Sequence, residues 1–404
     1  NYTKLTAVNE TNIFQFPQHS QHRIQNREKV KRNRKLINMR RSTIVVPGAK
    51  QSLHTGQQLV SCGNPALDHI LGGGMPIGSL LLIEEDKFAR YSKYLSKMFL
   101  AEGGVHKHAL FLANLNNDPN EMFQKLPPAI PDTKETKNTS HCGDDDDNGM
   151  RIAWRYNNLN KMDPEQGNKS QRNTYVFDLT QSIDEKAAKE LDVTVFGSKT
   201  LSAKVSTIFQ NPAYSDLLEK LKNRIANEEF HAIVPPCATK KNLLRICIES
   251  LASPFWYDEN FIDDLFLFLI ILKANVRSSL SVCCITMPVH LLNRIDPKLI
   301  QRIRDIVDFA IELKSFAGSD EETNPVFSEY NGLFYIRKMV ALNSLNAHTP
   351  ETYDLAFKLR RKRFVIEKLH LPPELQLSEQ HQPEDTTIAS AMNCGSTTKH
   401  TLEF

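Results

Sequence analysis

Apolar residues fall in short separated blocks along the chain, and their spacing sorts the blocks into strands and helices. Ser79-Leu80-Leu81-Leu82-Ile83 is a continuous apolar run behind a glycine cluster and predicts a buried strand. Ala89 to Glu102 predicts a helix closed by Gly103 and Gly104, and His108 to Ala113 a second buried strand. Asp118-Pro119, Asn211-Pro212 and Asp296-Pro297 each join a capping residue to a proline, the pair that opens a helix. The second precedes Leu217, Leu218, Leu221 and Ile225 on one face, and the third precedes Leu299, Ile300 and Ile303. Leu243 to Ile248, Leu280 to Thr286 and Ile306 to Leu313 predict further strands. Phe261, Ile262, Leu265, Leu269 and Leu272 mark an apolar helix between the first two. Asn331-Gly332, between Phe327 and Leu333, is a two-residue hairpin signal. Phe357, Leu359, Phe364 and Ile366 suggest a last strand region, crossed by Arg360-Arg361-Lys362-Arg363.

Strand and helix alternate, which predicts an α/β domain: a mostly parallel sheet flanked by helices, with an antiparallel C-terminal hairpin at one edge. It spans 56–373, with polar inserts at about 131–149 and 160–173 that are expected to be disordered. A disordered basic tail (1–55) and a polar tail (374–404) flank it. In the first, Arg23, Arg27, Lys29, Lys31, Arg32, Arg34, Lys35, Arg40 and Arg41 face only Glu28. Such a block is a solvated tail, compatible with nuclear import or an RNA contact.

The 404 residues include 40% hydrophobic and 24% charged, which fits one large domain diluted by polar segments. Fifty Lys and Arg against 47 Asp and Glu leave a net charge of +3, so contact with nucleic acid must come from local patches. The longest apolar run, Leu265 to Leu272, is too short for a membrane span. The first ten residues lack the layout of a secretory signal. Seven cysteines with no CxxC pair argue for a reduced compartment and against a disulfide framework or structural zinc.

The chemistry concentrates after Ser61. Gly72 to Gly74 and Pro76 make a tight turn into the first buried strand, with Leu67-Asp68 before it and Gly78 behind. This string resembles the lead-in to RecA-like and KaiC-like ATPase domains, whose first strand ends in the phosphate-binding loop. A working loop needs G-x-x-x-x-G-K-[ST], so that backbone N–H groups wrap the phosphates. Here the strand runs into Glu84-Glu85-Asp86-Lys87-Phe88-Ala89-Arg90-Tyr91-Ser92. It has no glycine, and three consecutive carboxylates are expected to repel a triphosphate. The nucleotide site therefore reads as degenerate near Glu84, Lys87 and Glu249. Glu249 takes the slot of the Mg²⁺-binding acid, and Thr286 is the polar end of the strand that would sense a γ-phosphate. Cys283 and Cys284 point to opposite faces of a strand and read as core. His106 with His108, and His141-Cys142 with Asp144 to Asp147, do not make a convincing metal site. No nucleophilic triad is evident, so no catalytic residue, metal or cofactor is assigned.

Several longer strings resemble one family: VSCGNPALDHILGGGMPIGSLLLIEEDKFARYSKY (60–94), MRIAWRY (150–156), LLRICIESLASPFW (243–256), SLSVCCITMPVHL (279–291), ETNPVFSEYNGLFYIRK (322–338) and LAFKLRRKRFVIEKLHLPPEL (355–375). They resemble the PAXNEB family, a subunit family of the Elongator complex, and the resemblance covers about Gln58 to Leu375. It implies a non-catalytic RecA-like subunit of a heterohexameric ring with Elongator subunits five and six. It further implies association with the catalytic Elongator subcomplex, tRNA binding, support of wobble-uridine (U34) modification, and a cytoplasmic location with a nuclear pool. RNA contacts then need local basic groups, of which Lys273 with Arg277, Arg302 with Arg304, and Arg360, Arg361, Lys362 and Arg363 are the candidates. The competing expectation is a divergent RecA/KaiC-type ATPase acting on nucleic acid through Lys87, Glu249 and a neighbour's arginine.

Overall fold

A computed structural model of the chain describes residues 46–52, 55–130, 175–201, 208–232, 240–342 and 347–370. The basic segment 23–41, the insert 131–149 with His141 and Cys142, the 150–156 string, the insert 160–173 and everything after 370 lie outside the described residues.

The chain first lays down a small antiparallel sheet of β1 (Ala49–Gln51), β2 (Gln58–Val60) and β3 (Met75–Pro76). Between β2 and β3, Asn64 caps α1 (Pro65–Ile70), its side chain accepting from the N–H groups of Ala66 and Leu67. Gly72, Gly73 and Gly74 then reverse the chain with φ of 83°, 110° and 127°. A Cβ on Gly74 would lie 2.5 Å from the Val60 carbonyl oxygen, so the turn requires glycine there.

Next come β4 (Leu80–Glu84), α2 (Tyr91–Val105), β5 (Ala109–Asn114), α3 (Pro119–Gln124), α4 (Glu185–Glu190) and β6 (Val193–Gly197). The second half adds α5 (Pro212–Ile225), β7 (Leu244–Glu249), α6 (Phe261–Ser278), β8 (Ser281–Met287), α7 (Val289–Ile295) and α8 (Pro297–Ile306). Four strands close the domain: β9 (Phe309–Ser315), β10 (Gly332–Lys338), β11 (Leu355–Arg360) and β12 (Arg363–Lys368).

β4 to β12 form one nine-stranded sheet in the order β12-β11-β10-β9-β4-β8-β7-β5-β6. From β9 to β6 neighbouring strands are parallel, and β9 to β12 are antiparallel. This is the mostly parallel, helix-flanked sheet with antiparallel C-terminal strands that the alternation predicts. Strand side chains alternate between two cores, as a sheet covered on both faces requires. Leu80, Leu82, Phe111, Ile246, Ile248, Cys283 and Ile285 face α5, α6, α7 and α8. Leu81, Ile83, Leu110, Leu112, Cys247 and Cys284 face α1, α2 and the curled-over β11–β12 hairpin.

Two local expectations are overturned. Gly103 and Gly104 do not stop α2, which runs on to Val105. A Cβ on Gly103 would come within 2.5 Å of Leu110 Cδ2 and 2.7 Å of Arg245 Cδ, so glycine lets the helix close onto the sheet. Asn331-Gly332 is not a hairpin turn either. Phe327 sits in a short 3₁₀ turn, and Gly332 opens β10, which pairs with β9 across the longer 316–331 connection. The tight hairpin lies two connections later, where Arg361-Lys362 joins β11 to β12.

Candidate functional site

The carboxyl ends of β4, β7 and β8 lie side by side, and in a parallel α/β sheet that edge is where ligands bind. The loop from β4 to α2 stands where a phosphate-binding loop would be. Its three acids are each committed within the protein, in three different ways.

Glu84 forms a two-pronged pair with Arg304 of α8, Arg304 Nε to Oε1 at 2.6 Å and Nη2 to Oε2 at 2.7 Å. Burial pushes the Glu84 carboxyl up, and the hydrogen bonds and charge of Arg304 oppose that rise. Glu85 Oε1 accepts from the Ser250 hydroxyl at 2.8 Å and the Thr286 hydroxyl at 2.5 Å. Burial raises its carboxyl too, against those same two hydrogen bonds. Thr286 Oγ1 in turn accepts from the Ser250 N–H at 2.8 Å, which hooks the loop after β7 onto the end of β8. The hydroxyl expected to sense a γ-phosphate is thus held by the chain's own carboxylate.

Asp86 is 2% exposed and caps α2. Its Oδ1 accepts from the N–H of Tyr91 at 2.9 Å and of Ser92 at 3.4 Å, and its Oδ2 from the N–H of Arg90 at 3.1 Å. These first-turn donors are the groups that bind phosphate in a working nucleotide site. The three carboxylates expected to face a triphosphate are instead held by internal partners, and Asp86 occupies the first-turn donors.

The backbone around these groups is strained. Ala89, Ser250 and Ala252 have φ of 48°, 48° and 63°, in the left-handed region that non-glycine residues seldom adopt. Such conformations persist where surrounding bonds over-determine them, here the Asp86 cap and the Thr286 hook.

Glu249 stands at the end of β7, where its Oε2 accepts from Asn114 Nδ2 at 2.8 Å. Burial holds the Glu249 carboxyl above its ordinary range, against the hydrogen bond from Asn114 and the charge of Lys93. Lys87 is exposed, with its ammonium 5.5 Å from the centre of the Phe88 ring. Glu84, Lys87 and Glu249 share one edge of the sheet but do not converge on one cradle.

The basic candidates separate clearly. Lys273 Nζ and Arg277 Nη2 both pair with Asp308 Oδ1, at 3.2 and 2.8 Å, and Asp308 also accepts from the Leu80 N–H. These two cations are largely spent on that carboxylate. Arg304 is spent on Glu84, and the Arg302 guanidinium lies 4.0 Å from the Phe266 ring centre. At the hairpin tip Lys362 pairs with Asp178 at 3.0 Å, and its carbonyl accepts from the Leu179 N–H. Arg360 and Arg363 face each other across the strands, with Arg361 between them. All three arginines are exposed and have no ion pair among the described residues.

Sequence reasoning missed a buried network behind the glycine-rich turn. Arg245, on β7, donates from Nε to His108 Nδ1 at 3.0 Å and from Nη1 to the carbonyls of Ser61 (2.8 Å) and Phe99 (3.1 Å). His108 Nε2 donates to the Pro47 carbonyl at 2.7 Å. Burial and then the Arg245 charge push His108 down to about 3, which keeps it neutral. Asp68 has a structural role, taking the Ser61 hydroxyl at 2.6 Å and the Cys62 N–H at 2.7 Å. An apolar strand containing a lone arginine, as in Leu243-Leu-Arg-Ile, was the available signal. Among the described residues no cluster of His, Cys, Asp and Glu could hold a metal ion, and no helix is long and apolar enough to cross a membrane.

Comparison with known proteins finds a matching family model and several relatives. The PAXNEB protein family model matches residues 42–404. Elongator complex protein 4 of Drosophila melanogaster is 38% identical over 421 residues, covering 85% of this chain and 95% of the relative. The Xenopus laevis protein of that name is 41% identical, covering 82% and 84%, and the Homo sapiens one 38%, covering 82% and 81%. Among solved structures, a KaiC-like protein from Pyrococcus horikoshii OT3 aligns at a TM-score of 0.42 and 13% identity, over 77% of this chain and 99% of that one. The match to the family model and these relatives show that the chain belongs to the PAXNEB family, the Elongator complex protein 4 family.

Proposed function

We propose that the chain is a non-catalytic, RecA-like subunit of Elongator that joins subunits five and six in a heterohexameric ring, binds tRNA and supports wobble-uridine modification by the catalytic subcomplex. One observation carries the non-catalytic part: Asp86 takes the N–H groups of Arg90, Tyr91 and Ser92, which a nucleotide's phosphates would need. A subunit so closed contributes surface and shape rather than turnover. Its working compartment is the cytoplasm, with a nuclear pool.

For tRNA the best-supported surface is the β11–β12 tip. Arg360, Arg361 and Arg363 put three guanidinium groups, without an ion pair among the described residues, at the tip of one tight hairpin suited to a salt-sensitive phosphate contact. Lys273 and Arg277 drop behind it because Asp308 already holds them.

The test is the native mass of the full chain co-expressed with subunits five and six, followed by tRNA binding across a salt series. Two copies of each subunit, and a salt slope that flattens in Arg361→Ala/Arg363→Ala, are expected. A monomer or homo-oligomer in the co-expression overturns the ring. ATP turnover by the assembly that disappears in Glu249→Gln restores the ATPase reading.

A further inference from the structure

The loop Glu84-Glu85-Asp86-Lys87-Phe88-Ala89-Arg90 is acidic in sequence, yet its acids are turned inward. Glu84 is 0% exposed, Glu85 6% and Asp86 2%, each on the internal partners described above. What the loop shows to solvent is Lys87, Phe88 and Arg90, with half-buried Ala89 between. Phe88 is 55% exposed, and neither Lys87 nor Arg90 has an ion pair among the described residues.

The loop is also stiff. Asp86 fixes its C-terminal half through three backbone N–H groups, and the Ala89 N–H returns to the Asp86 carbonyl at 2.8 Å, holding Ala89 at φ 48°. The Phe88 ring edge rests beside Gly318, where a Cβ would stand 3.6 Å from Cζ, and the Lys87 ammonium sits 5.5 Å from the ring centre. The ring is thus propped from one side with much of its surface left open. The neighbouring acidic turn uses two of its carboxylates locally: Glu322 takes the Gly318 N–H at 2.7 Å, and Glu321 pairs with Lys314 at 3.2 Å.

A fixed, exposed aromatic ring between such cations has the chemistry of a single-strand nucleic-acid platform: the ring stacks a base and the cations take the flanking phosphates. We infer that the Lys87–Arg90 loop, at the position of an absent phosphate-binding loop, stacks an unpaired RNA base on Phe88. This rests on the RNA-handling reading above and gives it a second point of attachment, distinct in kind from the arginine hairpin tip. A base inside an intact duplex cannot present its face to the ring, so the ligand is a single-stranded or looped segment.

The experiment uses the full chain assembled with its partner subunits and a short fluorescein-labelled single-stranded RNA, with a blunt duplex of the same sequence as control. Anisotropy titrations compare wild type, Phe88→Ala, Phe88→Trp, Lys87→Ala/Arg90→Ala and Arg361→Ala/Arg363→Ala. Phe88→Ala is expected to weaken single-strand binding by about 5- to 150-fold with its salt slope unchanged, because stacking is not a counterion effect. Phe88→Trp should retain affinity. Lys87→Ala/Arg90→Ala should lower the salt slope by about 0.7 for each phosphate that is no longer neutralised. Wild-type affinity in Phe88→Ala, alongside weakened binding in Arg361→Ala/Arg363→Ala, overturns the platform and leaves RNA handling standing. An assembly that falls apart in Phe88→Ala makes the ring a protein–protein anchor and also overturns it. If the wild-type assembly binds neither this RNA nor tRNA, the RNA-handling reading fails as well.

Discussion

Replacing Asp86 with alanine removes one side chain that serves three backbone donors, the buried N–H groups of Tyr91 and Ser92 and the part-buried one of Arg90. Losing a helix cap costs about 0.5–2 kcal/mol. Losing a negative charge from a partly buried helix N-terminus costs up to about 2 kcal/mol more. These overlap, but N–H groups left without a partner in a site that water barely reaches add a further penalty of about 1–3 kcal/mol. The expected loss for Asp86→Ala is therefore about 2–4 kcal/mol, well above an ordinary surface substitution. Asp86→Asn keeps an acceptor and loses the charge, so it should fall between the two. Urea unfolding of the full chain followed by circular dichroism measures both. A change below about 0.5 kcal/mol in Asp86→Ala would mean that the α2 N-terminus does not depend on an internal anion, and the explanation for the closed site would be wrong.

Three further outcomes are expected. Glu249 is held above the ordinary carboxylate value of 4.5, so over the window from 4.5 to its folded value the unfolded chain has already released a proton that the folded chain keeps. That contribution to stability is full below 4.5 and is lost as pH rises, and Glu249→Gln, which mimics the neutral acid, should make the decline shallower while the raised Glu84 and Glu85 keep their share; an unchanged urea-midpoint profile would refute it. His108 behaves in the opposite sense: lowered from 6.5 to about 3, it binds a proton in the unfolded chain first. Stability should fall on acidification through that range, and His108→Gln should flatten the fall; a wild-type slope in the variant would show that His108 is not its source. Gly103→Ala should destabilise by about 1–3 kcal/mol, because overpacking against Leu110 and Arg245 outweighs the helix-propensity gain of about 1 kcal/mol; a stabilised variant in thermal unfolding would refute that packing.

The local grammar of the chain is legible from its residues alone. Asp118, Asn211 and Asp296 each cap a helix before a proline, with a side-chain oxygen accepting from the expected N–H groups. The alternation of Leu80 to Ile83 between two cores follows from strand period alone. What failed were residues whose role is set by a distant partner. Gly103 looks like a helix stop because a stop and a close approach use the same residue, and only Leu110 and Arg245 tell them apart. Asn331-Gly332 carries the composition of a tight turn, but the pairing of β10 with β9 decides where the turn falls. The β6 edge strand, Val193–Gly197, is short and half-exposed and gives too weak a period to stand out.

The candidate site shows the same limit. The absence of glycines after β4 was plain in the sequence. The fate of Glu84, Glu85 and Asp86 was not, since Arg304 lies 220 residues away from Glu84 and Thr286 lies 201 from Glu85. Composition makes that loop a repulsive anionic patch; geometry makes it a sealed helix cap with a cationic, aromatic outer face. Likewise Lys273, Arg277 and Arg361 are equivalent as letters, and only Asp308 separates the first two from the third.

The most direct measurement is a calorimetric titration of the purified full chain with ATP and Mg²⁺. With Asp86 on the α2 donors and Thr286 on Glu85, no saturable heat is expected at millimolar nucleotide. Saturable binding of one nucleotide per chain, weakened by Glu249→Gln, would contradict the closed site and restore the reading of the chain as an ATPase.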